Sequence, residues 1–168
     1  GEDVDPDAVH AADRWLKRAL GERLQQTLEG LYRRYGSNAP FSPDPESAAR
    51  RSLRNAALAL LCASDDDAAR ERAGAHYRDA DNMTDRMAAL GLLARLGGEA
   101  ADGALAHFFE RFRGDSLVLD KWFMVQASAQ RPDTLERVRA LTDHPAFSLT
   151  NPNRVRSLIG AFAANPTA

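Results

Sequence analysis

Cysteine is nearly absent from this sequence of 168 residues. Cys62 stands alone, which excludes an internal disulfide framework and gives no sign of an oxidising compartment. An excess of one charge is missing as well. Lys and Arg total 22 against 24 Asp and Glu, a formal net charge of -2. The basic surplus that a dedicated nucleic-acid or membrane-surface binder needs is therefore lacking. No apolar run approaches the roughly 20 residues that span a bilayer. No β-branched alternating run competes for strand structure. The opening Gly1-Glu2-Asp3-Val4-Asp5 is acidic where a secretory segment would be basic and then apolar. A start on Gly rather than Met reads as a processed or excised piece of something longer, of cytoplasmic origin.

What the sequence does have is helical periodicity almost throughout. Composition is 44% hydrophobic and 27% charged, that of a folded globular chain. Trp15, Leu16, Ala19 and Leu20 begin an apolar stripe that Leu24, Leu28, Leu31, Tyr32 and Tyr35 continue, and Gly36 stops it. The stretch from residue 37 to Pro45, with Pro40 and Pro43, predicts a loop. A second helix starts near Glu46 with Leu53, Ala56, Ala57, Leu60 and Leu61 on one face. Ser64 and Asp65-Asp66-Asp67 predict a cap and an acidic first turn for a third, whose buried stripe is Ala69, Ala73, His76, Tyr77 and Ala80. Asn82 or Thr84 caps a fourth, carrying Met87, Leu90, Leu93 and Ala94 as far as Gly97-Gly98. Leu105, Phe108, Phe109 and Phe112 mark the fifth. The sixth, from Asp115 or Ser116, is apolar nearly all round over Leu117–Val125 and predicts an inner helix with neighbours on both sides. Pro132-Asp133 opens a seventh, with Leu135, Val138 and Leu141. Asn151-Pro152 opens an eighth, with Val155, Leu158, Ile159 and Phe162. Short loops between such helices favour antiparallel neighbours. The expectation is an all-α chain of about eight helices, paired antiparallel and stacked as a HEAT/armadillo-like superhelix.

Chemistry is harder to find. A helical zinc site needs His-Glu-x-x-His, two ligands on one helix face with a base between them. The four histidines are followed by Ala11, Tyr77, Phe108 and Pro145, so no metal ligands are assigned. His76 and His107 lie on or beside apolar stripes and read as packing positions. His144 reads as a turn residue, and His10 with Asp13 as an exposed helix pair. Asp79, Asp81 and Asp85 resemble a calcium loop, but Met83 and Thr84 occupy the third ligand and glycine places. These acids read instead as caps of the following helix. Phosphate-cradling glycine loops are missing. Cys62 reads as a buried hydrophobe in mid-helix, not a nucleophile. No catalytic residue is assigned.

The arginines carry more. Arg33 and Arg34 complement a helix end, and Arg50, Arg51 and Arg54 cluster at the start of the second helix. Arg154 and Arg156 flank the core stripe of the eighth helix near its N-terminus. Two forked donors there make a carboxylate site, or a pair of interdomain or helix–helix salt bridges.

Several segments together resemble one family. They are Arg51-Ser52-Leu53-Arg54-Asn55-Ala56, Asn82-Met83-Thr84-Asp85-Arg86-Met87-Ala88-Ala89-Leu90, Asp120-Lys121-Trp122-Phe123, His144-Pro145-Ala146-Phe147-Ser148-Leu149 and Asn151-Pro152-Asn153-Arg154-Val155-Arg156-Ser157-Leu158-Ile159-Gly160-Ala161-Phe162. In this order they are similar to the C-terminal helical domain of bacterial aminopeptidase N. The resemblance implies that residues 1–168 are one helical domain, the truncated first part of that superhelix, within a four-domain parent. It implies that zinc belongs to the parent's catalytic domain and that this fragment binds no cofactor. The implied partners are the remaining domains of the polypeptide and, in the parent, a peptide substrate, with no nucleic acid and no membrane. In the family this domain closes a chamber over the zinc site and restricts access to peptides. Arg156 is then the residue expected to face the chamber and attract a peptide's C-terminal carboxylate, with Arg154 the lesser candidate. The end at Asn165-Pro166-Thr167-Ala168 is expected to leave the eighth helix with an uncovered face. The competing expectation is a stand-alone helical-repeat scaffold that binds a protein or peptide on its concave face.

Overall fold

The computed structural model describes residues 5–36 and 40–165. All regular structure among them is helical. The chain divides into two compact units, Gly1–Leu96 and Gly97–Ala168.

Among its described residues the first unit holds five helices: α1 (Pro6–Arg23), α2 (Gln25–Arg34), α3 (Pro45–Leu61), α4 (Asp67–Asp79) and α5 (Met83–Leu96). Side-chain caps set the starts. The Asp5 carboxylate accepts from Asp7 N at 2.9 Å, Asp44 from Ser47 N at 2.9 Å, Asp66 from Ala69 N at 2.8 Å, and Asn82 Oδ1 from Asp85 N at 2.9 Å. Each satisfies an amide left free by the missing preceding turn. The cap of α4 is thus Asp66, and that of α5 is Asn82. Helix α2 packs on α3, α3 on α5, and α4 on α5. The core is small and apolar: Leu28, Ala57, Leu58, Cys62, Ala73, Leu90 and Leu93 are buried. The predicted stripe of the third helix, Ala69 to Ala80, is buried throughout.

The first predicted helix proves to be two. Leu24, at φ -106° and ψ 12°, interrupts it. The apolar spacing runs through the break unchanged, so periodicity alone does not register it. Just before the break, Gly21 is buried against α3, where an added Cβ would lie 2.4 Å from Leu60 O. The upstream stripe is not core either. Trp15 is 70% exposed and Leu16 51%, while Leu28 beyond the break is buried.

The second unit holds α6 (Glu99–Phe112), α7 (Ser116–Ala127), α8 (Thr134–Thr142) and α9, which opens as Pro152–Val155, passes through a π turn at Arg156–Gly160 and closes as Ala161–Ala163. Asp115 caps α7 and Asn151 caps α9. The predicted inner helix is α7: α6, α8 and α9 all pack against it. It buries Leu119, Trp122, Phe123, Gln126 and Ala127, yet leaves Leu117 and Met124 exposed. Trp122 Nε1 donates to Leu105 O on α6 at 2.9 Å. At its C-terminal end Asn165 Nδ2 donates to Ala127 O and Ala129 O at 3.2 and 3.0 Å. Gly97, at φ +69°, opens the unit. Arg131 lies against it, held by Asp133 through bonds of 2.7 and 2.6 Å, and a Cβ at Gly97 would overlap that guanidinium. Ile159, predicted as core, is exposed.

Candidate functional site

The two arginines singled out on α9 part company. Asn151 turns the chain into the helix, and Arg154 then points inward. It is 5% exposed, its Nε lies 3.2 Å from Asp120 Oδ1 on α7, and its guanidinium covers the Phe123 ring at 5.0 Å. Its Nη1 is buried without a hydrogen-bond acceptor among the described residues. Of the two sequence readings, the helix–helix salt bridge is the one Arg154 forms. Arg156 sits at the first position of the π turn and is exposed. A π turn widens the backbone by one residue and is frequent at functional positions. Asp120 was not assigned a role from the sequence. The available signal was a carboxylate inside an otherwise apolar helix, paired in the same set of motifs with an arginine beside a core stripe.

The histidines divide in the same way. His144 lies among Phe109, Trp122 and Phe123, with ring centroids 4.9, 5.2 and 6.0 Å away, and its Nδ1 accepts from Ala146 N at 3.1 Å. It closes its own turn, as expected, and packs besides. His107 is exposed, because the buried face of α6 runs through Ala101, Ala104, Leu105 and Phe108. His76 is buried on α4. Its Nδ1 lies 2.8 Å from the Tyr32 hydroxyl on α2, and its Nε2 has no partner among the described residues. Burial, with the nearby Arg54 cation, lowers its pKa to about 4. Burial also raises the Tyr32 phenol above its ordinary value.

Cys62 closes α3 rather than sitting in mid-helix. Its Sγ lies 3.5 Å from Ala69 O, and burial pushes the thiol up to about 11. A thiol so placed is protonated at neutral pH and is a poor nucleophile. The turn after it is tied by Arg95, which reaches both the Asp65 carboxylate and Cys62 O.

Asp85 belongs to a polar knot that the sequence did not announce. It accepts from Asn55 Nδ2 at 2.8 Å and from Asn82 Nδ2 at 3.0 Å, with Arg54 Nη1 at 3.8 Å. Arg54 in turn covers the Tyr32 ring at 4.8 Å. The knot ties the middle of α3 and the start of α5 to α2, which is a capping role in part and a tertiary one for the rest. Its Arg54, Asn82 and Asp85 line a polar cavity of about 440 Å³ together with Arg34, Arg51, Asp79 and Asp81.

Among the described residues, no group of three or more His, Cys, Asp or Glu side chains is placed to hold a metal ion. None of their helices is long and apolar enough to cross a membrane. The donor set does not suit a zinc ion, and no metal-assisted step is assigned to this chain.

All regular structure among the described residues is helical, and the comparisons place the chain in a family of helical repeats. The chain belongs to the family described as "Domain of unknown function (DUF3458_C) ARM repeats", whose model matches residues 1–168. Among curated proteins it is 42% identical over 162 residues to aminopeptidase N of Caulobacter vibrioides, covering 96% of this chain and 19% of that protein. It is 35% identical over 166 residues to aminopeptidase N of Escherichia coli, covering 98% and 19%. Among solved structures it is similar to aminopeptidase A of Legionella pneumophila in complex with aspartic acid, with a TM-score of 0.88 and 28% identity, over 100% of this chain and 21% of that one. The chain thus spans about a fifth of the length of these relatives. The resemblance to the C-terminal helical domain of bacterial aminopeptidase N, read from the motifs, holds along the whole chain.

Proposed function

We propose that this chain is the non-catalytic helical wall of an aminopeptidase. In this reading the parent polypeptide removes N-terminal residues from peptides in the cytoplasm, with a zinc ion held by residues outside these 168. The helices of this chain enclose the reaction chamber and restrict access to peptides. The full-length match to one fifth of aminopeptidase N carries the reading. The state of the reactive side chains supports it: Cys62 is protonated and His76 is neutral and buried, so neither serves as nucleophile or base at neutral pH. No nucleic acid or membrane enters this function.

Within the wall, Arg156 is the residue that meets the peptide's C-terminal carboxylate. Arg154 acts from behind, holding α9 against α7 through Asp120 and so fixing the helix from which Arg156 projects. A charge-assisted contact of this kind contributes about 1.5–3 kcal/mol. The test is Arg156→Gln in the whole polypeptide, assayed on a tripeptide with a free carboxylate and on the same tripeptide amidated. The expected result is a KM raised about tenfold or more for the free acid and unchanged for the amide. Equal effects on both substrates would remove Arg156 from this role. Hydrolysis of an alanyl amide by the isolated chain would refute the non-catalytic reading itself.

A further inference from the structure

The polar cavity of the first unit is bounded by the end of α2, residues Pro40–Ser42, α3 and the turn between α4 and α5. Its charges are unevenly matched. Arg50 is paired with Glu46 at 2.6 Å, and Arg54 faces Asp85 at 3.8 Å. Arg34, Arg51, Asp79 and Asp81 also line the cavity and form no ion pair within 4.0 Å among the described residues, although Asp81 accepts from Asn82 Nδ2 at 2.8 Å; Arg51 is half-buried and the other three are exposed. Arg51 is preset for an incoming group. Its Nη1 is anchored on Ser42 O at 2.9 Å, and its guanidinium plane covers the Phe41 ring at 4.7 Å. Its Nε, like that of Arg54, is buried without an acceptor among the described residues. A buried N–H donor left unpaired costs about 1–3 kcal/mol, which a ligand acceptor would recover.

The two unmatched cations and two unmatched anions select the ligand. A simple anion would answer the arginines and add repulsion from Asp79 and Asp81, while a simple cation would do the reverse. A small zwitterion answers both. We propose that this cavity binds a small molecule carrying one carboxylate and one ammonium group, such as an amino acid or dipeptide, with the carboxylate on Arg51 and Arg34 and the ammonium on Asp79 and Asp81. A volume of about 440 Å³ is ample for such a ligand and lies within the ordinary range for small-molecule sites, roughly 300–1,000 Å³. The proposal rests on the charges lining this cavity and is independent of what Arg156 contacts.

Hydrogen exchange localised by mass spectrometry tests it in the whole polypeptide, with diglycine, succinate and 1,2-diaminoethane as probes at millimolar concentration. Diglycine is expected to slow exchange in segments covering residues 47–54 and 81–86, and the dianion and dication are not. Arg51→Gln and Asp81→Asn are each expected to weaken the diglycine effect about tenfold or more in half-saturating concentration. Arg50→Gln, whose partner is Glu46, is expected to leave it intact. Equal protection by succinate or by the diamine would overturn the proposal. So would no protection by diglycine, or protection that both Arg51→Gln and Asp81→Asn leave unchanged.

Discussion

Arg154 and Asp120 form an ion pair at 3.2 Å between α9 and α7, with side-chain exposures of only 6% and 16%. Removing one member strands the other charge in a largely dry environment, which costs about 3–5 kcal/mol in comparable pairs. Replacing both with apolar residues of similar volume removes the desolvation penalty together with the attraction. Arg154→Met and Asp120→Leu are each expected to lower the urea midpoint sharply, and the double variant is expected to recover most of the loss. Urea unfolding followed by far-ultraviolet circular dichroism reads this, and additive losses in the double variant would show that the two charges are not coupled.

Two glycines in adjacent helices should respond to the same substitution with opposite signs. At Gly21 a methyl group would lie 2.4 Å from Leu60 O, a backbone atom that cannot rotate away. Gly21→Ala is expected to force α1 from α3 and to destabilise by about 1–3 kcal/mol. At Gly30, on α2, nothing lies within 4 Å of the added Cβ. There Gly30→Ala is expected to stabilise by about 0.5–1 kcal/mol through helix propensity. Paired urea titrations measure both.

The contrast between Gly21 and Leu24 shows which parts of the fold were legible. Caps and stripes are local, so the helices over 67–79, 83–96 and 116–127 follow from the caps around Asp66, Asn82 and Asp115, and those over 45–61 and 99–112 from apolar spacing, while the Asp44 cap was not read from the sequence. A break in backbone direction at Leu24 and a π turn at Arg156–Gly160 preserve apolar spacing closely enough to escape it. Exposure is tertiary. Trp15 and Ile159 sit on good helical stripes and still face outward. The candidate sites were legible in proportion to their locality: Arg154 and Arg156 stood out together on one helix, but only the fold separates the buried one from the exposed one. Tyr32 and His76 are 44 residues apart in sequence, and no spacing rule joins them.

Cys62 offers a direct test of core integrity in the first unit. Burial raises its thiol pKa to about 11, so the thiolate fraction at pH 8 is about a thousandth, and access is blocked as well. Labelling by an aromatic disulfide reagent is expected to be slow in buffer and fast in denaturing urea. Rapid native labelling would mean that the α3–α4 turn opens readily. Gly21→Ala, which disturbs α3 beside Leu60, is expected to accelerate native labelling, while Gly30→Ala is not.

The Tyr32–His76 contact gives the chain an acid-sensitive joint. His76 has an ordinary pKa of 6.5 and a folded value of about 4. Between those values the unfolded chain binds a proton that the folded chain does not, so stability falls as pH drops from about 6.5 to about 4 and the His76 contribution levels off below. A shift of that size corresponds to a loss on the order of 3 kcal/mol across the window. The groups facing the ring set the direction: burial and the Arg54 cation disfavour protonation, and Asp79 and Asp85 oppose them more weakly. His76→Gln is expected to flatten the slope between pH 6.5 and 4, at some cost in stability at pH 7. Tyr32→Phe should also destabilise at pH 7, by about 1–3 kcal/mol, since it leaves the buried Nδ1 without its partner. Urea midpoints taken at half-unit intervals from pH 7.5 to 4 check both variants. A slope that persists in His76→Gln would place the acid sensitivity elsewhere in the chain.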